Sequence, residues 1–176
     1  MNIVNVHQRR LEATPAQVAM LFDSLGSQAD RLWPPDWPRM KLDRPLAIGA
    51  TGGHGPIRYF VTAYTPGESV RFQFTEPKGF RGWHSFVVLG AAEEDCVLEH
   101  RIEMETQGRA TLIWELALRH LHNALVEDAL AQAQRAVGNK PLVVPWPARV
   151  RVLRWLLSVG KSGSRPSHEP PAGPLV

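Results

Sequence analysis

Apolar and polar positions divide the chain into short stretches of period two, read as strands, and one long stretch of helical period near its C-terminal third. Ile3 to Glu12 alternates imperfectly and reads as a strand. Thr14-Pro15-Ala16-Gln17 then supplies an N-cap threonine, a proline at the first helical position and a glutamine at the capping-box position. Val18, Leu21, Phe22 and Leu25 follow at helical spacing, and Gly26 ends that helix. A second short helix is expected over about Ser27 to Leu32, closed by the proline-dense Trp33-Pro34-Pro35-Asp36-Trp37-Pro38.

Turn chemistry separates the strands that follow. Met40 to Ala50 is weakly strand-like and runs into the glycine-rich 49–56; Ile57 to Thr65 ends at Pro66-Gly67. Ser69 to Glu76 sets Val70, Phe72 and Phe74 against Arg71, Gln73 and Thr75. Trp83 to Leu89 comes next, then a polar turn at 92–95. Val97 to Thr106 places Leu98, His100, Ile102 and Met104 on one face. Hairpin-length links make these strands antiparallel. One long helix, with no proline or glycine inside, is expected from about Arg109 to Val137, with Trp114, Leu118, Leu121, Leu125 and Ala129 as its apolar stripe. At 1.5 Å per residue it spans roughly 40 Å, longer than any one strand, so it must lie along a strongly curved sheet. The expected fold class is therefore α+β: six to seven antiparallel strands curved around a long C-terminal helix, with two short helices after the first strand.

Composition changes this picture little. A chain of 176 residues suffices for one cored domain, and no window reaches the apolar length of a membrane span. The N-terminus has no basic segment followed by an apolar run, so it does not read as a secretory signal. With Cys96 the only cysteine, no internal disulfide can form, and a cytoplasmic location is the expectation. Charge is uneven. Beyond Gly138, Lys140, Arg149, Arg151, Arg154, Lys161 and Arg165 face one acid, Glu169, which leaves the remainder slightly acidic and unlike a nucleic-acid-binding domain. Three divisions follow: a ligand-binding domain over 1–138, a basic amphipathic extension over 139–161, and a disordered tail over 162–176.

The order of elements resembles the START-like superfamily (SRPBCC, or helix-grip), which includes plant pathogenesis-related allergens, lipid-transfer START domains and bacterial polyketide cyclases. Three segments carry the resemblance: 11–18 as the strand-to-helix passage, the glycine-rich 49–57, and 83–88 with 97–100 as the penultimate hairpin. It covers about residues 3 to 137 and is similar to the polyketide cyclase/dehydrase-like bacterial branch. It implies a hydrophobic cavity between sheet and long helix, without implying one reaction.

Candidate chemistry lies on faces that would look into that cavity. Period two places His100 beside Leu98, Ile102 and Met104, and His84 beside Phe86; across the hairpin, position 86 falls opposite 100 and 84 opposite 102. Such histidines could hydrogen-bond a ligand or, in an enzyme, exchange protons; they could equally be core histidines bonded to backbone or water. For Arg58 the alternation allows either face. The resemblance suggests Arg58, Phe60 and Thr62 inward, where the guanidinium would meet a carboxylate or enolate; the alternative puts Tyr59 and Val61 there. The glycine-rich segment reads as a tight bend, with His54 at the cavity rim as the functional alternative, and Trp33, Trp37, Trp83 and Trp114 read as core or as aromatic walls and lids. Phe72, Phe74, Met104, Leu118 and Leu121 complete the expected lining. On the long helix, His122 is expected to face solvent. The histidine spacing suggests no metal, the glycine-rich segment lacks a P-loop ending, and no cofactor is expected.

The extension carries Val150, Leu153 and Leu157 on one stripe and Arg151 and Arg154 on another, so residues 146–159 could dock on the domain, on another subunit, or peripherally on a membrane. The preferred function is binding of a hydrophobic or aromatic small molecule, lipid or polyketide-like, as carrier or sensor, with no nucleic-acid partner. The alternatives are a polyketide cyclase/aromatase-like enzyme with His84 and His100 as acid/base and Arg58 as enolate stabiliser, and a membrane-surface lipid handler.

Overall fold

The computed structural model describes residues 1–92 and 95–159. The tail from 160 onward, with the segment expected to be disordered, lies outside the described residues. Seven strands form one antiparallel, curved sheet: β1 (Asn2–Leu11), β2 (Lys41–Leu42), β3 (Thr51–His54), β4 (Ile57–Thr65), β5 (Ser69–Glu76), β6 (Phe80–Ala92) and β7 (Asp95–Thr106), in the spatial order β1-β7-β6-β5-β4-β3-β2. Helix α1 (Pro15–Asp23) follows β1, and a helix running over 109–136 grips the concave side. This is the helix-grip arrangement expected from the sequence.

Helix α1 begins where its capping box places it: the Thr14 hydroxyl accepts from the Gln17 amide at 3.3 Å, and the Gln17 side chain accepts from the Thr14 amide at 2.9 Å. Only one helix forms before β2. Over 24–33 the chain makes turns, because the Asp30 carboxylate accepts from the Gly26, Leu32 and Trp33 amides at 2.8, 3.0 and 2.8 Å. Those side-chain bonds take the amides a helix would need. The weak strand expected over 40–50 shrinks to two residues.

The glycine-rich segment is half strand and half turn. Gly49 and Gly55 have φ of +84° and +51°, which favours glycine. Gly52 and Gly53 lie within β3, where a Cβ would collide with the carbonyl oxygens of Lys41 and Ile57 on either side. The narrow edge β2-β3-β4 thus depends on side chains being absent.

The β6–β7 hairpin has the expected register, Phe86 opposite His100 and His84 opposite Ile102. On its other edge β7 pairs with β1, which sets His7 opposite His100. The long helix is continuous but not uniformly α: α2 (Arg109–Ile113) passes through a π-helical turn at Trp114–Leu118 into α3 (Arg119–Ala136). Such turns insert an extra residue and recur at functional sites. Leu125, Val126, Ala129, Leu130 and Ala133 of α3 are buried in the core. After residue 147, α4 (Ala148–Val159) returns against α3 and buries Val150. Among the described residues no helix is long and apolar enough to cross a membrane.

Candidate functional site

Between the sheet and the long helix lies a cavity of about 410 Å³, within the size range of small-molecule sites. Its floor comes from the sheet (Ile57, Phe74, Phe80, His84, Phe86, His100, Ile102) and its roof from the long helix (Trp114, Leu118, Leu121, His122, Leu125). One end is closed by the proline-rich segment through Trp33, Trp37 and Met40, with His54 beside them. Arg154, Leu157 and Ser158 of α4 complete the rim.

The polar content of this apolar space is a row of histidines. The ring centroids of His84 and His100 are 5.6 Å apart, and those of His100 and His122 are 5.0 Å apart. Phe72 stacks on His84 at 4.9 Å and 16°, Phe74 at 5.1 Å and 27°, while Phe86 meets His100 edge-on at 4.6 Å. His84 Nε2, His100 Nδ1 and both nitrogens of His122 are buried with no hydrogen-bond partner. Burial holds the imidazoles neutral. Desolvation lowers His84 and His100 well below the usual histidine value, with neighbouring histidines adding to it. It pushes His122 down to about 3, aided by His7. His54 falls to about 4, through desolvation and then the Arg58 charge. His54 and His122 keep some open ring surface, and it lines the hollow. Tyr59, buried beneath, shares a 3.1 Å hydrogen bond with His54 Nδ1.

Charged groups stay at the edges. On β1, His7 and Arg9 face α3 and share the Glu127 carboxylate, His7 at 2.7 Å. At the rim the Arg154 guanidinium lies over the rings of Trp37 and Trp146, 4.3 and 4.1 Å from their centroids, and donates to the Asp36 carbonyl at 2.7 Å. Both indole N–H groups donate to one Asp128 oxygen, at 2.7 and 2.8 Å. This latch fastens α4 to the proline-rich segment and to α3. Among the described residues no group of three or more His, Cys, Asp or Glu has the geometry to hold a metal ion.

Nine of the residues expected to line the site do so: Trp37, His54, Phe74, His84, Phe86, His100, Trp114, Leu118 and Leu121. Four do not. Arg58 is exposed, and its Nη1 donates to the Gly55 and Ile57 carbonyls at 2.8 Å each; Phe60 shares its outward face. The inward residues of β4 are Ile57, Tyr59 and Val61, because Tyr59 pairs opposite Phe74 and Val61 opposite Phe72 on the buried face. Phe72 is fully buried behind His84, and Met104 is buried beside Ile3 and away from the hollow. Trp83 is also outward, with Arg71 4.2 Å over its ring.

His122, expected in solvent, instead roofs the cavity. The signal was present: it stands four residues after Leu118 and three before Leu125, on the same helical face. Arg154 and Asp128 carried no comparable signal, since the latch unites segments distant in sequence.

No family model matches the chain, and no curated protein matches it. Solved structures do. Norcoclaurine synthase from Thalictrum flavum, in complex with dopamine and hydroxybenzaldehyde, superposes with a TM-score of 0.60 at 13% identity, over 81% of this chain and 90% of that one. A Thermobifida fusca protein solved by NMR gives 0.59 at 10% identity, over 80% and 99%. CalU16 from Micromonospora echinospora gives 0.53 at 13% identity, over 90% and 86%. At these identities the likeness is one of fold: the chain has the helix-grip architecture that its resemblance to the START-like superfamily implied.

Proposed function

We propose that this protein binds a neutral, largely apolar small molecule, an oxygenated aromatic in particular, in the cavity between sheet and helix, as a carrier or sensor. The observation that carries the reading is four buried, unpartnered imidazole nitrogens beside an otherwise apolar hollow. A buried polar atom without a partner costs about 1–3 kcal/mol, and these nitrogens lie just behind the cavity wall, where ring rotation toward the hollow would let a guest's hydroxyl or carbonyl groups pair with them. The imidazoles are neutral, Arg58 is outside, and the rim's Arg154 is already engaged by Trp37, Trp146 and the Asp36 carbonyl, so little in the hollow would compensate a buried carboxylate. A protein of the same fold, norcoclaurine synthase, is in complex with dopamine and hydroxybenzaldehyde, which supports an oxygenated aromatic ring as guest, though not its neutrality.

Two observations weigh against the acid–base enzyme. Imidazoles held neutral well into the acid range are poor proton donors at pH 7. The expected enolate stabiliser, Arg58, faces away from the hollow.

Tryptophan fluorescence titration tests the proposal, because Trp33, Trp37 and Trp114 line the cavity. With 2-naphthol, naphthalene and 2-naphthoate as probes, 2-naphthol should bind at least tenfold more tightly than the other two. Tightest binding of the carboxylate, or no saturable response to any probe, would reject it.

A further inference from the structure

Helix α4 has apolar residues on both sides. The side that docks buries Val150, and Leu157 on that side contributes to the cavity rim. An ordinary surface helix docked in this way is polar outside. Here the outer side carries Val152, Trp155 and Leu156, exposed to 56%, 62% and 54%. At 100° per residue these three fall on one arc, with Arg151 at one flank and Arg149 at the other, both exposed. The patch adjoins the first turns of the long helix, since Arg149 Nη2 donates to the Leu116 carbonyl at 2.8 Å. There Leu112, Ile113 and Leu116, three and four residues apart, are exposed to 62%, 47% and 60%. Apolar residues exposed together mark an interaction site more surely than scattered ones do.

We infer that this outer face of α4, with Leu112, Ile113 and Leu116, is a docking surface for an anionic lipid bilayer. An apolar arc flanked by arginines suits a helix lying in the interface, with its side chains below the headgroups and its guanidiniums on the phosphates. Tryptophan favours that boundary. No acid occurs between residues 138 and 159, so nothing in the segment repels an anionic surface. The same charges oppose a second copy of the chain as occupant. A two-fold contact through this face would bring together two surfaces that each carry Arg149 and Arg151, with no carboxylate of α4 on either to pair with them. The helix thus has one side on the cavity rim and the other facing outward.

Vesicle flotation tests the surface without reference to the cavity ligand. The full chain is mixed with phosphatidylcholine vesicles, or with vesicles containing about one-third phosphatidylglycerol, at low and high salt. Binding should be strong only to the anionic vesicles and weaken with salt. The V152S/W155S/L156S variant, altered only at exposed positions, should keep the melting temperature and lose more than tenfold in binding. R151Q should lose about fivefold, the size expected for one basic residue at such a surface. Absence of binding to anionic vesicles, or equal binding by wild type and the triple variant, would overturn the inference. So would a concentration-dependent dimer abolished by the same three substitutions, with vesicles ignored.

Discussion

A neutral imidazole carries one donor and one acceptor, and in the row His84–His100–His122 several of these sites have no hydrogen-bond partner among the surrounding rings. The arrangement trades folding stability for a hydrogen-bonding surface inside an apolar space. Replacing His122 with leucine should therefore leave urea stability unchanged or raise it by about 1–2 kcal/mol, while 2-naphthol affinity falls at least tenfold. A loss of stability without a loss of affinity would make His122 a structural residue. Protonation acts in the opposite sense. Each imidazole of the row has a folded-state pKa below its unfolded value near 6.5, so the unfolded chain takes up the proton first. Stability is full above pH 6.5 and falls on acidification, by about 1.4 kcal/mol per pH unit for each imidazole that stays neutral. Urea midpoints between pH 7 and 5 should show this decline, and His100→Phe should make it shallower. A flat profile would mean that the row protonates in the folded state.

Among the elements, the long ones were legible in the sequence and the short ones were not. Alternation over β5, β6 and β7 fixed which face each residue takes, so His84 and His100 could be paired across the hairpin from turn position alone. Strand β4 misled because Arg58-Tyr59-Phe60-Val61 is apolar or aromatic on both faces, and its phase is set by Phe72 and Phe74 of the neighbouring strand. Residues 27–32 read as helix because the Asp30 bonds that replace helical ones leave no periodic trace. The glycine-rich segment announced itself as a bend, yet its central glycines serve close backbone approach within β3. Gly53→Ala should accordingly cost more than about 2 kcal/mol in urea unfolding, since the added Cβ would strike the Ile57 backbone. An undisturbed midpoint would show that this edge yields. The latch on α4 was invisible because its partners lie in three separate segments. Arg154→Ala removes two cation–π contacts and a backbone hydrogen bond, and should speed amide exchange across α4 about tenfold while α3 stays protected. Unchanged exchange in α4 would assign its docking to Val150 and the Arg149–Leu116 hydrogen bond.

At the scale of the molecule, the sheet curves away from the long helix, and what fills the gap decides what the protein does. Aromatic rings and aliphatic side chains close most of it. About 410 Å³ stays open, bordered by neutral histidines and fastened at one rim by Arg154. Apolar walls provide affinity without direction, and the imidazoles select a guest with oxygen where they can reach it. Native mass spectrometry of the freshly purified full chain tests this most directly. The expected spectrum shows a non-covalent adduct with the mass of an uncharged, oxygenated aromatic molecule, and the adduct is lost in His122→Leu. A protein that carries no adduct and acquires none from added 2-naphthol would contradict the account.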